Sequence, residues 1–228
     1  MRTKALLLTA ALGAAGVATS MAQVYSVNAV GYVNLSIAFP TPTPVSPFAI
    51  VANPLNGTNN LISTVIPNAP DGTIAYLFRN NQYDIIYYTG PGSWTNPSGP
   101  EPTIAPGEAF FLGFDGTVAP NPTVLTFVGE VPQGNLTNAV PTGFSMRSSI
   151  VPQSGGLTTV LGFYPSDPVA DVDTLFQFNA ASQSYDIFYY VGGGNWSPSE
   201  PVVNVATGFF FQNNSGATEN WGRTFTVN

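Results

Sequence analysis

Tyr83-Asp84-Ile85-Ile86-Tyr87-Tyr88, trailed by Gly92-Ser93-Trp94, returns 102 residues later as Tyr185-Asp186-Ile187-Phe188-Tyr189-Tyr190 and Gly194-Asn195-Trp196. The run is β-branched and aromatic and ends at glycines, the pattern of a strand that feeds a turn. Its return marks a duplicated unit. Phe48-Ala49-Ile50-Val51 pairs with Phe144-Ser145-Met146-Arg147 at a spacing of 96, while Glu101-Pro102 and Phe110-Phe111 recur as Glu200-Pro201 and Phe209-Phe210 at 99. Such drift is what insertions in surface loops produce. A further strand-like element stands three times at spacings of 98, as Val27 to Val33, Leu125 to Val131 and Arg223 to Asn228.

Between these repeats, runs such as Ile74 to Phe78, Ala109 to Phe114 and Thr123 to Val128 are separated by Gly, Pro, Asn and Asp clusters. Few segments carry a helical period, and only Leu61 to Ile66 and Leu157 to Gly162 suit a short helical turn. With 21 prolines and 23 glycines, the expected fold is all-β: two tandem antiparallel β-sandwich-like modules with an extra N-terminal strand. The expected boundaries are that strand at 23–39, a proline-rich linker at 40–47, module 1 at 48–131 and module 2 at 132–228. From Tyr25 to Phe39 every odd residue is apolar or glycine. Fifteen residues exceed an ordinary strand, so Gly31 is expected to mark a bulge or bend.

The order Phe48-Ala49-Ile50-Val51-Ala52-Asn53-Pro54, then Tyr76-Leu77-Phe78 answered by Tyr83, then Ala105-Pro106-Gly107-Glu108-Ala109-Phe110-Phe111-Leu112 resembles a β-module common in secreted bacterial proteins. The opening Ser26-Val27-Asn28-Ala29-Val30-Gly31-Tyr32-Val33 is similar to the start of an uncharacterised family of exported bacterial proteins. The resemblance covers most of the mature chain and implies a fold without an activity. Module 2 departs from it, with Arg147-Ser148-Ser149 in place of the Asn-Pro turn and Ala206-Thr207-Gly208 in place of Pro-Gly-Glu.

Arg2 and Lys4 precede the apolar stretch 5–18, which leads to Ser20-Met21-Ala22, the layout of a signal peptide over residues 1–22 with Gln23 as the first mature residue. Fourteen apolar residues are short of a bilayer span, so the mature chain is expected to be secreted or cell-surface, with no membrane span. Cleavage leaves Arg79, Arg147 and Arg223 against twelve acidic residues, a formal charge of −9. That charge argues against nucleic acid, whose phosphates need Lys and Arg. Self-association, other cell-surface proteins or polysaccharide suit it better.

The chain has no histidine or cysteine and the mature part no lysine, which removes the usual general base, the thiol and the Schiff-base amine. Carboxylates remain, with Glu101, Glu108, Asp84 and Asp115 the candidates in module 1, but the expectation is a non-enzymatic protein without a cofactor. Asp167, Asp171 and Asp173 cluster as oxygen donors would around calcium, without the spacing of an EF-hand. Trp94 and Trp196, with Tyr88, Tyr190, Asp84 and Asp186, could form a platform on which sugars stack, although rings in this pattern more often fill a core. Period two places Tyr83, Ile85 and Tyr87 on one strand face and Asp84, Ile86 and Tyr88 on the other. The leading expectation is a structural or adhesive surface protein acting through self-association, with strand addition from residues 23–39 as one route and ordinary pairing of that strand within its own module as the safer expectation for it; the alternative is a tandem carbohydrate-binding protein.

Overall fold

The computed structural model describes residues 29–166 and 172–227. It is all-β, with one helical turn, α1 (Ile62–Val65). Among the described residues no helix is long and apolar enough to cross a membrane.

Module 1 comprises β1 (Val30–Ile37), β2 (Phe48–Ala52), β3 (Ile74–Arg79), β4 (Gln82–Gly90), β5 (Ser93–Thr95), β6 (Ala109–Gly113) and β7 (Thr123–Glu130). Five of these form an antiparallel sheet in the order β2-β6-β3-β4-β5, and β1 and β7 form a separate two-stranded ribbon. Module 2 repeats the plan with β8 (Gly134–Val140), β9 (Gly143–Arg147), β10 (Gly155–Gly156), β11 (Thr174–Asn179), β12 (Ser184–Gly192), β13 (Asn195–Ser197), β14 (Val202–Val203), β15 (Phe209–Asn213) and β16 (Glu219–Phe225). Its sheet runs β9-β15-β11-β12-β13 and its ribbon is β8-β16, while β10 and β14 form a short pair.

Each ribbon covers one face of its own sheet. In module 1, Ile37, Leu125 and Phe127 pack against Val51, Leu77, Ile86, Phe110 and Leu112, and in module 2, Val140 and Trp221 pack against Leu175, Tyr190, Phe209 and Phe211. The opposite faces of the two sheets meet in a third cluster built on Ile50, Ala52, Ala109, Phe111, Met146 and Phe210. The molecule is therefore four layers deep. Alternation explains how β6 serves two cores, with Phe110 and Leu112 facing the ribbon and Ala109 and Phe111 facing module 2.

The N-terminal strand pairs within its own module rather than projecting toward a neighbour. All eight residues of β1 pair with β7 in the same chain, from Val30 opposite Glu130 to Ile37 opposite Thr123, so the strand closes module 1 and is no free donor for a neighbour. Its counterpart is β8, which the 98-residue spacing did not reveal. Asn34-Leu35-Ser36 and Asn135-Leu136-Thr137 are the matching residues. In each ribbon the asparagine Oδ1 accepts a threonine hydroxyl from across the pair, Thr126 at 2.8 Å and Thr224 at 2.8 Å. The register runs unbroken past Gly31. Gly31 is required for space, because a Cβ there would reach to 2.5 Å from Leu55 Cδ2. The proline-rich segment is likewise packed on module 1: Phe114 N donates to Pro47 O, Gly116 N donates to Val45 O at 2.8 Å, and a Cβ at Gly116 would overlap Pro44 O.

The repeated Glu-Pro pairs have a structural task. Glu101 Oε1 accepts the Ser63 amide at 2.6 Å in the first turn of α1, and Glu200 Oε1 accepts the amides of Thr158 and Thr159, each at 2.7 Å, in the matching turn of module 2. A carboxylate at this end of a helical turn satisfies donors that have no partner within the turn. The divergent Ser149 keeps the work of Asn53: Leu55 N donates to Asn53 Oδ1 and Val151 N to Ser149 Oγ.

Candidate functional site

Trp94 and Trp196 are core residues, 6% and 7% exposed. The Trp94 indole donates to Ile66 O at 2.9 Å and that of Trp196 to Thr158 Oγ1 at 2.8 Å, which satisfies the one polar atom each ring takes from water. Tyr88 and Tyr190 lie edge-on to them, with centroids 5.2 and 5.1 Å away. The sugar platform expected from these four rings is thereby corrected. Each tyrosine pairs with its tryptophan across neighbouring strands, so both project to the same face, and the ribbon covers that face. Asp84 is half-buried and Asp186 exposed, both on strands that carry the site described next but outside its lining.

Of the other candidate carboxylates, Glu108 pairs with Arg79 (Oε1 to Nε 2.7 Å, Oε2 to Nη2 3.0 Å), and Asp115 holds a turn through Thr117, whose hydrogen bonds lower its pKa. Asp167 and Asp171 lie outside the described residues. Among the described residues no three acidic, His or Cys side chains gather in one place.

The feature that does gather chemistry is on the other strand face. Tyr83, Ile85 and Tyr87 of β4 and Tyr185, Ile187 and Tyr189 of β12 are 38–46% exposed. Two pockets of about 300 Å³ adjoin this stripe, and every residue lining them is aromatic. Phe48, Tyr76, Phe111 and Phe178 line the first; Phe144, Phe176, Phe210 and Phe78 line the second. Tyr83 and Tyr185 line both. Every residue of one pocket is the repeat equivalent of one in the other, so the pockets exchange under an approximate two-fold between the modules. The ring contacts obey it too: Phe78 sits 5.3 Å from Phe210, and Phe111 sits 5.5 Å from Phe178.

Main-chain and amide bonds hold the halves in place. Ala52 N donates to Ala206 O and Ser148 N to Gly107 O, both at 2.9 Å. The Gln183 side chain accepts from Phe48 N and donates to Phe48 O, clamping the β11–β12 hairpin to the start of β2.

Electrostatically the cleft is lined by uncharged rings alone. Burial raises the pKa of Tyr83, and burial followed by the neighbouring Tyr87 raises that of Tyr76. Tyr185 is pushed up to about 12, by burial first and by Tyr83 second. The phenols therefore stay protonated donors at any physiological pH. A surface of rings and aliphatic side chains edged by neutral hydroxyls can bind apolar or CH-rich partners, and it offers neither nucleophile nor charge. Alternation along β4 was enough to set Tyr83, Ile85 and Tyr87 apart from the core rings; which face water reaches depends on the ribbon, and no local signal carries that.

Comparison with known protein families, with characterised proteins and with solved structures yields no match for this chain.

Proposed function

We propose that this is an exported, non-enzymatic structural or adhesive protein of the cell surface whose copies bind one another through the aromatic stripe between the modules. The observation that carries the reading is the continuous exposed run Tyr87, Ile85, Tyr83, Tyr185, Ile187, Tyr189, with Phe144 beside it at similar exposure. At about 200 Å² per large side chain, seven residues roughly 40% exposed present about 600 Å² of apolar surface, the upper end for an ordinary monomer. Two copies face to face would bury about 1,200 Å², the lower end of specific interfaces. Enrichment in tyrosine and phenylalanine, with charge confined to the periphery, is the composition of an interface centre. An approximate two-fold within each copy lets either half meet either half. A chain of charge −9 otherwise repels its own copies, so the uncharged face is where contact costs least.

Sedimentation velocity on the chain from Gln23, beside a Tyr87→Ser/Tyr189→Ser variant, tests this. The reading expects dimers or larger species at tens of micromolar and monomers for the variant. Monomers in both samples overturn it. The glycan reading draws on the hydroxyls at the pocket mouths. It takes over if the monomeric wild type is retained on an insoluble polysaccharide and the variant is not.

A further inference from the structure

Module 2 buries two carboxylates, Asp173 and Glu219, and module 1 has neutral side chains at both places. Thr73 and Asp173 are equivalent, each preceding the third sheet strand of its module and each accepting, through its carbonyl, the amide of an equivalent tyrosine: Tyr88 N to Thr73 O at 3.0 Å and Tyr190 N to Asp173 O at 2.9 Å. Glu219 opens β16 opposite Val140, and the match of Asn34 with Asn135 and of Thr126 with Thr224 puts Asn121 at its place in module 1. In module 1 the Thr73 hydroxyl donates to Pro70 O at 2.6 Å, Phe39 N donates to Asn121 Oδ1 at 3.1 Å and Asn121 Nδ2 donates to Phe39 O at 3.2 Å. That arrangement is neutral and satisfied.

In module 2, Asp173 is 3% exposed and Glu219 8%. Asp173 Oδ1 accepts the Asn214 amide and Glu219 Oε1 accepts the Ser166 amide, each at 2.6 Å. Glu219 Oε2 is shut away from solvent and has no hydrogen-bond partner. Burial raises the pKa of both groups, and Asp173 adds to the rise at Glu219, which places the two within each other's field. A buried pair of like charges with an orphan oxygen is costly unless a positive species sits between them. No basic side chain is hydrogen-bonded to either carboxylate among the described residues.

We propose that Asp173 and Glu219 are the protein's anionic ligands for a hard divalent cation of the calcium class, a site present in module 2 and replaced by the neutral Thr73 and Asn121 in module 1. Oxygen donors without nitrogen or sulfur select such an ion, and its flexible six- to eight-fold shell accepts main-chain oxygens and water beside two carboxylates. Bound there, the cation ties the start of β11 to the start of β16 and so braces the sheet to its ribbon.

The test is thermal unfolding of the chelator-treated mature chain with and without about 10 mM CaCl2, with calorimetric titration of the same samples. For an affinity typical of extracellular calcium modules the wild-type Tm should rise by roughly 5 °C. Glu219→Gln and Asp173→Asn should lose that rise. Asp173→Thr/Glu219→Asn, which installs the residues of module 1, should fold and ignore calcium. A wild-type Tm indifferent to calcium overturns the proposal and leaves a shared proton as what neutralises the pair. A rise that survives in Glu219→Gln overturns it as well.

Discussion

Replacing Gly208 by alanine puts a methyl where the two sheets touch. A Cβ built there would overlap the Ala109 methyl and stand 3.0 Å from Ile50 Cγ2 and 3.1 Å from Arg147 O. Ala109 and Gly208 occupy equivalent ends of β6 and β15, so the module interface leaves room for one methyl at this point and not for two. Overpacking of this kind costs about 1–3 kcal/mol, less the few tenths regained because alanine restricts the unfolded chain. The expected net loss is about 2 kcal/mol. Ala109→Gly alone should cost about 1.5 kcal/mol, from a lost buried methyl and a looser strand. The double variant moves the methyl across the axis and should recover to within about 1 kcal/mol of wild type, a coupling of at least about 2.5 kcal/mol between the sites. Urea unfolding followed by tryptophan fluorescence reads all four corners of the cycle. Additive losses, or a Gly208→Ala variant as stable as wild type, would refute face-to-face packing of the sheets.

Trp94→Phe and Trp196→Phe should each lose about 2–3 kcal/mol of stability through the missing indole bond and the space left behind, while self-association by sedimentation stays unchanged once the variant is folded. Tyr185 supplies a pH signature. Its folded pKa of about 12 lies above the ordinary 10.0, so its contribution is fully present below pH 10 and is lost as pH rises through about 12. Titration of tyrosinate absorbance should show one late phenol that disappears in Tyr185→Phe. Glu101→Gln and Glu200→Gln should each cost about 1 kcal/mol in urea unfolding, because each carboxylate holds the amides of a helical turn. Deleting residues 23–37 should unfold module 1 and leave far-ultraviolet dichroism much reduced, since β7 loses its partner and the core loses Leu35 and Ile37.

The class of fold and the strand faces were readable because they rest on local signals: period two in β4 and β12 and glycines at the turns. Layering was not. Whether Tyr88 or Tyr87 faces water depends on which side of the sheet the β1–β7 ribbon covers, a contact made by residues 35 to 58 positions from Tyr88 in sequence. The ribbon itself was obscured because β1 resembles its partner β7 more than its equivalent β8. Apolar alternation is common to all three strands, and only the short Asn-Leu-Ser/Thr match separates them. The expected tryptophan platform failed for a related reason. Duplication copies core and surface alike, so recurrence of Trp94 as Trp196 marks importance without saying to which. The buried Glu219 had no signal at all, being one acidic residue before a strand until Asp173 was found beside it.

Photochemical dityrosine cross-linking of the mature chain, with the linked peptides mapped, goes most directly to the central claim. Among the described residues Tyr32 and Tyr164 are the most exposed tyrosines at 66% and 65%, so random collisions should link those two ahead of the stripe. Association through the stripe predicts intermolecular links among Tyr83, Tyr87, Tyr185 and Tyr189, at protein concentrations where Tyr32 and Tyr164 stay unlinked. Links confined to Tyr32 and Tyr164, or none between chains, would contradict it.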